Sequence, residues 1–369
     1  MSLVRMAIAM MVVWLVAIVT SGLARAADLP VKVPKKVPDL PWFILIDNRL
    51  TYSWEPRGTD PGMFSVRPDG SINGITAKQV YSFTHFDIWQ YGTNFLSISM
   101  LKSDHNDSAN PCTNTGTITS PLAGFATVPA SCEGATEFYG LFRSTFGWNE
   151  IFETKAFTAG PLHNISFEVG MDAGAENTYL APATRKAFAG LQFQFDLPYK
   201  GFFNVAPLAF YEFANRSAFI QCGAGWQLPA PAIPGVNCLV DGSRRFDPTW
   251  AVETNYYMDL GFLPENMQYF SISGRAAWYG KKGSENAPLP GTPTAVEFNS
   301  EPIRLTLDAS KAIWGPKFSH FVDVWVAYRY WQNKFGLDHK ASTVCNVAAG
   351  LSNNSCTESS IYSGVSVKF

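Results

Sequence analysis

The strongest structural signal in the chain lies at residues 44–55, which read ILIDNRLTYSWE. Apolar side chains occupy the even positions, with Asn48 as the single exception, and polar side chains occupy every odd position from Asp47 to Glu55. Because side chains alternate between the two sides of a strand, this period of two predicts a β-strand with one apolar face and one charged face.

The same alternation recurs along the rest of the chain and predicts about twelve strands. They are expected near residues 42–55, 75–90, 94–103, 136–149, 162–173, 185–197, 202–215, 248–261, 267–280, 298–310, 319–332 and 359–369. The predicted strands are longer than those of most soluble domains, and apolar faces end in aromatic residues such as Trp54 and Tyr330. We therefore predict an all-β fold, a transmembrane antiparallel β-barrel over residues 42–369, with a soluble β-sandwich as the alternative.

The two ends of the chain carry features of an exported barrel. Residues 1–26 have the layout of a cleavable signal peptide, with Arg5 before an apolar stretch and a small-residue site at Ala24 and Ala26. Residues 27–41 are rich in proline and lysine, which predicts an extended periplasmic tether. The terminal Phe369 resembles the signal read by the barrel assembly machinery, a predicted partner. These features together predict the bacterial outer membrane as the location.

Short and long connections alternate between the predicted strands. Bacterial barrels place short turns in the periplasm and long loops outside, and an even strand number puts both chain ends on the periplasmic side. The six cysteines fall in pairs within three long connections, which predicts the disulfides Cys112–Cys132, Cys222–Cys238 and Cys345–Cys356. We predict no metal and no cofactor, since the cysteines lack the paired spacing of a zinc site.

Composition excludes one class of partner. Charged residues make up only 16% of the chain, and the formal net charge is -2. A protein that binds nucleic acid carries a basic excess, so no nucleic-acid partner is expected.

The polar faces of the predicted strands would line the barrel interior. A barrel of about twelve strands lies between small, filled barrels and wide porins, so a narrow lumen is expected. Its charges could form a structural network that fills the barrel, or a polar track for a solute. The candidate lining residues are Asp47, Arg49, Glu137, Tyr139, Arg143, Glu168, Asp172, Glu253, Tyr257, Tyr269, Arg275, Arg304, Asp308, Arg329 and Trp331.

Two segments carry a family resemblance. Residues 83–96, FTHFDIWQYGTNFL, resemble the second hairpin of the Tsx-like nucleoside-specific outer-membrane channel family, and residues 328–336, YRYWQNKFG, are similar to that family's penultimate strand. The resemblance implies a barrel that transports nucleosides. It transfers no individual ligand-binding residue to this chain.

These observations predict an outer-membrane channel for passive, substrate-selective diffusion of small solutes, such as nucleosides or similar neutral molecules. Its partners would be the lipid bilayer and the solute. A general small-solute porin is the nearest alternative. Two other classes are a structural or adhesive surface barrel and a lipid hydrolase, in which His85 beside Asp87 is the candidate base. No catalytic residue is predicted, because no nucleophile motif surrounds His85.

Overall fold

A computed structural model describes residues 41–66, 69–104, 107, 117–119, 127–128, 133–177, 183–216, 243, 245–282, 294–342, 344–348 and 350–369. The predicted signal peptide and nearly all of the predicted tether lie outside the described residues. The same holds for Cys112, Cys132, Cys222 and Cys238, so two of the three predicted disulfides remain predictions.

Twelve antiparallel strands form a closed barrel, which confirms the predicted fold class. They are β1 (Phe43–Thr59), β2 (Ile75–Trp89), β3 (Gly92–Ser103), β4 (Thr136–Gly147), β5 (Leu162–Glu176), β6 (Ala183–Leu197), β7 (Gly201–Arg216), β8 (Thr249–Asp259), β9 (Phe270–Tyr279), β10 (Glu297–Asp308), β11 (Val322–Gln332) and β12 (Thr357–Lys368). Each strand pairs with the next one along the chain, and β12 closes the barrel against β1.

The outside of the barrel is apolar and the inside is polar. On β1, the outward Leu50, Tyr52 and Trp54 are 57%, 45% and 50% exposed, whereas the inward Ser53 and Glu55 are 5% and 2% exposed. A closed sheet pairs its backbone groups without a free edge, and its apolar exterior is compatible with hydrocarbon. The barrel therefore spans a membrane with its strands, and its location is the bacterial outer membrane.

The two ends of the barrel differ in their connections. At one end, the turn end, the connections between β2 and β3 and between β6 and β7 are tight turns. The other turn-end connections are longer, and two of them contain the short helices α1 (Trp148–Ile151) and α2 (Ala309–Trp314). The opposite end, the loop end, carries the long connections. In the described parts of the chain, no helix has both the length and the apolar composition needed to cross a membrane.

Several predicted strand limits were wrong at the turn end. The strand predicted to reach residue 310 stops at Asp308, because the Asp308 carboxylate accepts a hydrogen bond from the Lys311 backbone amide at 2.8 Å and caps α2. Tyr269, predicted to lie in a strand, precedes β9. The Gln268 side chain donates to the Gly261 and Leu263 carbonyl oxygens at 3.2 and 2.9 Å, which keeps the chain in a turn up to that point.

The connection between β11 and β12 is tightly folded at the loop end. The predicted disulfide between Cys345 and Cys356 is confirmed, and the two residues are 0% and 2% exposed. The short strands Asn346–Ala348 and Leu351–Ser352 pair with each other within this connection. The Lys334 ammonium donates to the Thr59 carbonyl oxygen at 2.6 Å, so the connection is tied to the end of β1.

Candidate functional site in the barrel interior

The middle of the lumen contains an ion cluster centred on Arg143. The guanidinium Nη2 and Nε donate to the two Glu253 carboxylate oxygens at 2.7 and 2.9 Å, and Nη1 donates to Asp172 at 2.7 Å. Glu168 lies 3.8 Å from Nε, and the Tyr139 hydroxyl donates to Asp172 at 2.8 Å. Arg143 belongs to β4 and Glu253 to β8, so this contact crosses the lumen. We call these five residues the cross-lumen cluster.

An aromatic group packs beside the cross-lumen cluster. Phe188 on β6, Phe210 on β7 and Tyr279 on β9 face inward and are 3%, 2% and 8% exposed. The Phe188 and Phe210 ring centroids are 5.1 Å apart, and the Arg143 guanidinium carbon lies 4.0 Å from the Phe188 ring centroid. Guanidinium groups are attracted to aromatic faces, so the rings support the cluster. None of the three was predicted to line the lumen; for Phe210 the reason is that β7 has apolar residues on both faces, so its inward face could not be assigned.

A second ion cluster lies toward the loop end. Arg329 on β11 is 2.7 Å from Glu358 and 3.5 Å from Glu55, and Lys334 is 2.8 Å from Glu358. Lys78 on β2 forms an ion pair with Glu137 on β4. Trp331, a predicted lining residue, is buried there and its indole nitrogen donates to Glu297 at 2.9 Å. The contacts of Arg329 with Glu55 and of Lys78 with Glu137 join non-adjacent strands, so the cluster restricts the lumen at this end.

A third group of charges lies at the turn end. Arg49 on β1 binds Asp47 and Asp323 at 2.7 and 2.6 Å. His320 Nδ1 lies 3.0 Å from Asp323 and 3.9 Å from Asp308. The hydrogen bond to Asp323, with the nearby charges of both carboxylates, raises the pKa of His320 above its ordinary value.

The positions of Asp308, His320 and Asp323 would bring three metal-binding groups together. Both Asp308 oxygens, however, already accept hydrogen bonds from α2 and from the turn that follows it. Asp323 is bound by Arg49. Existing donors therefore satisfy both carboxylates, and their chemistry is that of a structural cap and an ion pair.

The interior wall is open to solvent between the cross-lumen cluster and the turn end. Asn255 on β8 and Arg275 on β9 are exposed there and occupy directly paired positions. Asn204 on β7 pairs with Asn255, and its amide nitrogen donates to the Asn255 side-chain oxygen at 3.0 Å. Gln194 on β6 pairs with Asn204 in turn. We call these four residues the polar belt. Of the four, only Arg275 was among the predicted lining residues. That the four lie side by side depends on strand register, which cannot be obtained from alternation alone.

Apart from Tyr269, the predicted lining residues lie in barrel strands and on the inward face. The structure joins most of them in the ion clusters above, and Arg304 pairs with Glu301 at 2.7 Å. Tyr257 donates from its hydroxyl to Asp259 at 2.6 Å. Arg275 stands apart from these pairs. Whether the predicted residues line the path of a solute remains a prediction.

A hydrogen-bonded row of polar residues lies on the outer face of β1 to β4, close to the turn end. His85 Nδ1 is 2.7 Å from Asn48, and His85 Nε2 is 3.0 Å from Asp87. Asn94 donates to Asp87 at 3.0 Å, and Ser144 donates to Asn94 at 2.7 Å. We call these five residues the outer polar row. The two His85 nitrogens are occupied by Asn48 and Asp87, and among the described residues neither nitrogen contacts a nucleophilic hydroxyl.

The closed barrel, its apolar exterior and its ion-paired interior define the class: an outer-membrane β-barrel with a restricted lumen. No protein-family model matches the chain. No curated protein matches it either.

Solved structures of outer-membrane barrels are similar to the chain at low sequence identity. An outer membrane channel from Pseudomonas putida F1 has a TM-score of 0.41 and 9% identity, covering 89% of this chain and 98% of that one. The channel DcaP of Acinetobacter baumannii has a TM-score of 0.34 and 10% identity, with 88% and 96% covered. The translocator domain of the autotransporter NalP from Neisseria meningitidis has a TM-score of 0.30 and 9% identity, with 99% and 98% covered. Similarities of this size do not bear on function, and the barrel assignment rests on the strand pairing itself.

Proposed function

We propose that this protein is a passive outer-membrane channel for small polar solutes. The observation that carries the proposal is the combination of a closed transmembrane barrel with an inward face that is polar and still solvent-exposed at Asn255 and Arg275. Water and polar solutes cross hydrocarbon poorly, so a polar interior enclosed by an apolar wall suits a path for them. The long-loop end would face the outside of the cell and the turn end the periplasm.

The cross-lumen cluster supports a small solute rather than a large one. Arg143 and Glu253 meet across the lumen, and Phe188 packs against the guanidinium group. A solute would have to pass beside these contacts or displace them. Selection would then act through side-chain chemistry in addition to size.

A narrower proposal is that the solutes are nucleosides or similarly small neutral molecules. Two features support it: the resemblance of residues 83–96 and 328–336 to the Tsx-like family, and the inward Tyr257 at the open part of the lumen. An aromatic ring offers a stacking surface to any nucleobase. Uridine added to a conducting channel would then reduce its current in a saturable way, whereas sucrose at the same concentration would not.

Single-channel recording in planar bilayers tests the channel proposal. The purified, detergent-solubilised protein is expected to produce discrete current steps in potassium chloride. The same sample, irreversibly heat-denatured, serves as the control and should produce none. Folded protein that inserts into the bilayer without current steps would contradict the proposal.

The packed middle of the lumen favours a second candidate, a surface barrel that does not conduct. Phe188, Phe210 and Tyr279 are almost fully buried beside the cross-lumen cluster. If this packing persists in the membrane, the barrel would present its loops outside the cell and transport nothing. The same recordings separate the two candidates, because only a channel gives current steps.

A further inference from the structure

The polar belt presents its side chains in one continuous row along the wall of the open lumen. Gln194, Asn204, Asn255 and Arg275 occupy directly paired positions on four adjacent strands, so their side chains leave the wall next to one another. Neighbouring strands are about 4.8 Å apart, and the belt therefore extends over roughly 14 Å. A small organic molecule can contact several of these groups at once.

Arg275 differs from the other interior arginines. Arg49, Arg143, Arg304 and Arg329 each bind a carboxylate at 2.7 Å or less. Within the described residues, Arg275 is an exposed interior cation with no carboxylate at ion-pair distance.

The nearest carboxylate in the register is already occupied. Glu301 on β10 is directly paired with Arg275. One Glu301 oxygen accepts from Arg304 at 2.7 Å, and the other accepts from the Tyr362 hydroxyl. Arg275 therefore acts on Glu301 through its charge without a direct ion pair, and its guanidinium N–H donors are available to a solute.

The neighbouring amides add oriented donors. Asn204 donates to the side-chain oxygen of Asn255 at 3.0 Å, which fixes the Asn255 amide group. With its oxygen used in this bond, Asn255 offers its amide nitrogen to a solute beside the guanidinium. In the part of the chain that the structure describes, this places the Asn255 amide donor next to an interior guanidinium that has no carboxylate partner.

We propose that Arg275, Asn255 and Asn204 bind the carboxylate or phosphate group of a small polar organic anion that passes through the lumen. The planar guanidinium matches two oxygens of such a group, and the amides bind its further oxygens. The proposal rests on the channel function above and assigns anions as the solute class, in place of the neutral nucleosides. A neutral nucleoside could bind the amides but would leave the guanidinium without an ionic partner.

Solute block of the single-channel current tests this site. Gluconate is the carboxylate probe, inorganic phosphate is the phosphate probe, and glucose is the neutral match to gluconate. In the wild-type channel, at least one of the two anions should reduce the current in a saturable way, whereas glucose should have much less effect. In Arg275→Gln the half-saturating concentration of that anion should rise about tenfold, because a charge-assisted hydrogen bond is lost. Arg275→Lys, which keeps the charge but not the planar fork, should be intermediate.

A matched control is Arg185→Gln, which removes an exposed guanidinium from the outer face of β6. This variant should keep the wild-type response to all probes. Arg275→Gln is expected to fold, because Arg275 forms no ion pair, and its heat-dependent gel shift should equal that of the wild type.

The outcomes separate this inference from the channel proposal. A wild-type protein without current steps would refute the channel function and the anion site with it. Current steps with equal block by gluconate, phosphate and glucose, or an unchanged response in Arg275→Gln, would refute the anion site alone. Saturable block by uridine without block by either anion would also refute it, in favour of neutral solutes.

Discussion

Arg143 lies within ion-pair distance of three carboxylates: the buried Asp172 and Glu168 on β5, and Glu253 on β8, whose side chain is 19% exposed. Replacing it in Arg143→Ala leaves these charges without their partner. Removing one partner of a buried ion pair costs about 3–5 kcal/mol, so the free energy of unfolding should fall by this amount. A urea titration in detergent micelles, monitored by tryptophan fluorescence, measures this change in the free energy of unfolding.

The same substitution should also increase single-channel conductance, because it removes the side chain that crosses the lumen. The double variant Arg143→Ala with Glu253→Gln is the control, and it should recover part of the lost stability. Unchanged conductance in a folded Arg143→Ala barrel would place the cross-lumen cluster outside the path of ions.

Asp60, directly after β1, should make stability depend on pH. Burial of its carboxyl group, with the charge of Glu137 nearby, raises its pKa to about 6. The folded protein therefore holds the Asp60 proton more tightly than the unfolded chain does, and this binding stabilises the fold. The stabilisation is complete below the unfolded pKa of about 3.9 and is lost as the pH rises through 6.

Asp60→Asn should therefore stabilise the barrel above pH 6 by at most about 3 kcal/mol, the free energy of a shift of two pKa units. Unfolding titrations at pH 4.5 and pH 8 measure the difference. An equal effect of the substitution at both pH values would contradict the assigned protonation.

Among the structural elements, β12 closes the barrel and ends beside β1. The Phe369 backbone amide donates to the Asn48 carbonyl oxygen at 3.1 Å, and the Phe369 ring is 66% exposed on the outer face. Deleting Phe369 removes one hydrogen bond and one exposed ring, so the folded barrel should lose only about 1 kcal/mol.

The same deletion should reduce assembly into the outer membrane more strongly than it reduces stability, because Phe369 is predicted to be recognised by the barrel assembly machinery. The measurement is the fraction of protein with a heat-dependent gel shift in outer-membrane preparations. Conservative Phe369→Tyr should keep assembly close to the wild-type level. Equal assembly of the deletion and the wild type would remove Phe369 from the assembly signal.

The connection between β11 and β12 depends on its disulfide. Cys345 and Cys356 are 11 positions apart in the sequence, and closing a loop of this size removes about 3 kcal/mol of unfolded-state entropy in the chain-entropy model. Cys345→Ser with Cys356→Ser should lower the free energy of unfolding by this amount. Limited proteolysis should then cut within residues 333–356 faster than in the wild type. Equal cleavage rates would show that the other contacts of this connection, such as the Lys334 bond to Thr59, are sufficient.

For the whole molecule, the apolar exterior predicts that the folded protein needs detergent to stay dissolved. The unboiled protein should migrate faster than the boiled protein on a gel, because a closed hydrogen-bonded barrel stays compact in mild detergent. A water-soluble β-barrel of unrelated sequence is the control for solubility. If the mature chain stays dissolved without detergent and shows no gel shift, the membrane-spanning assignment is wrong.

The strand number and the two faces could be predicted because a barrel in lipid imposes one period on every strand. Residues 44–55 contain that pattern in full. Strand ends were less predictable, since Asp308 ends β10 through a helix cap that alternation does not reveal. The contact between Arg143 and Glu253 joins residues 110 positions apart, and only register and closure bring them together. The polar belt was missed for the same reason.

The outer polar row has a consequence for how the barrel sits in the bilayer. On the flank formed by β1 to β4, Asn48, His85 and Asp87 face outward near the turn end, where polar groups are costly among acyl chains. On the opposite flank, the outward row near the turn end is apolar, formed by Met258, Ile272 and Leu305 at paired positions. The apolar band on the outer surface is therefore taller on one flank of the barrel than on the other. A bilayer of uniform thickness fits such a cylinder only when the barrel axis leans away from the membrane normal.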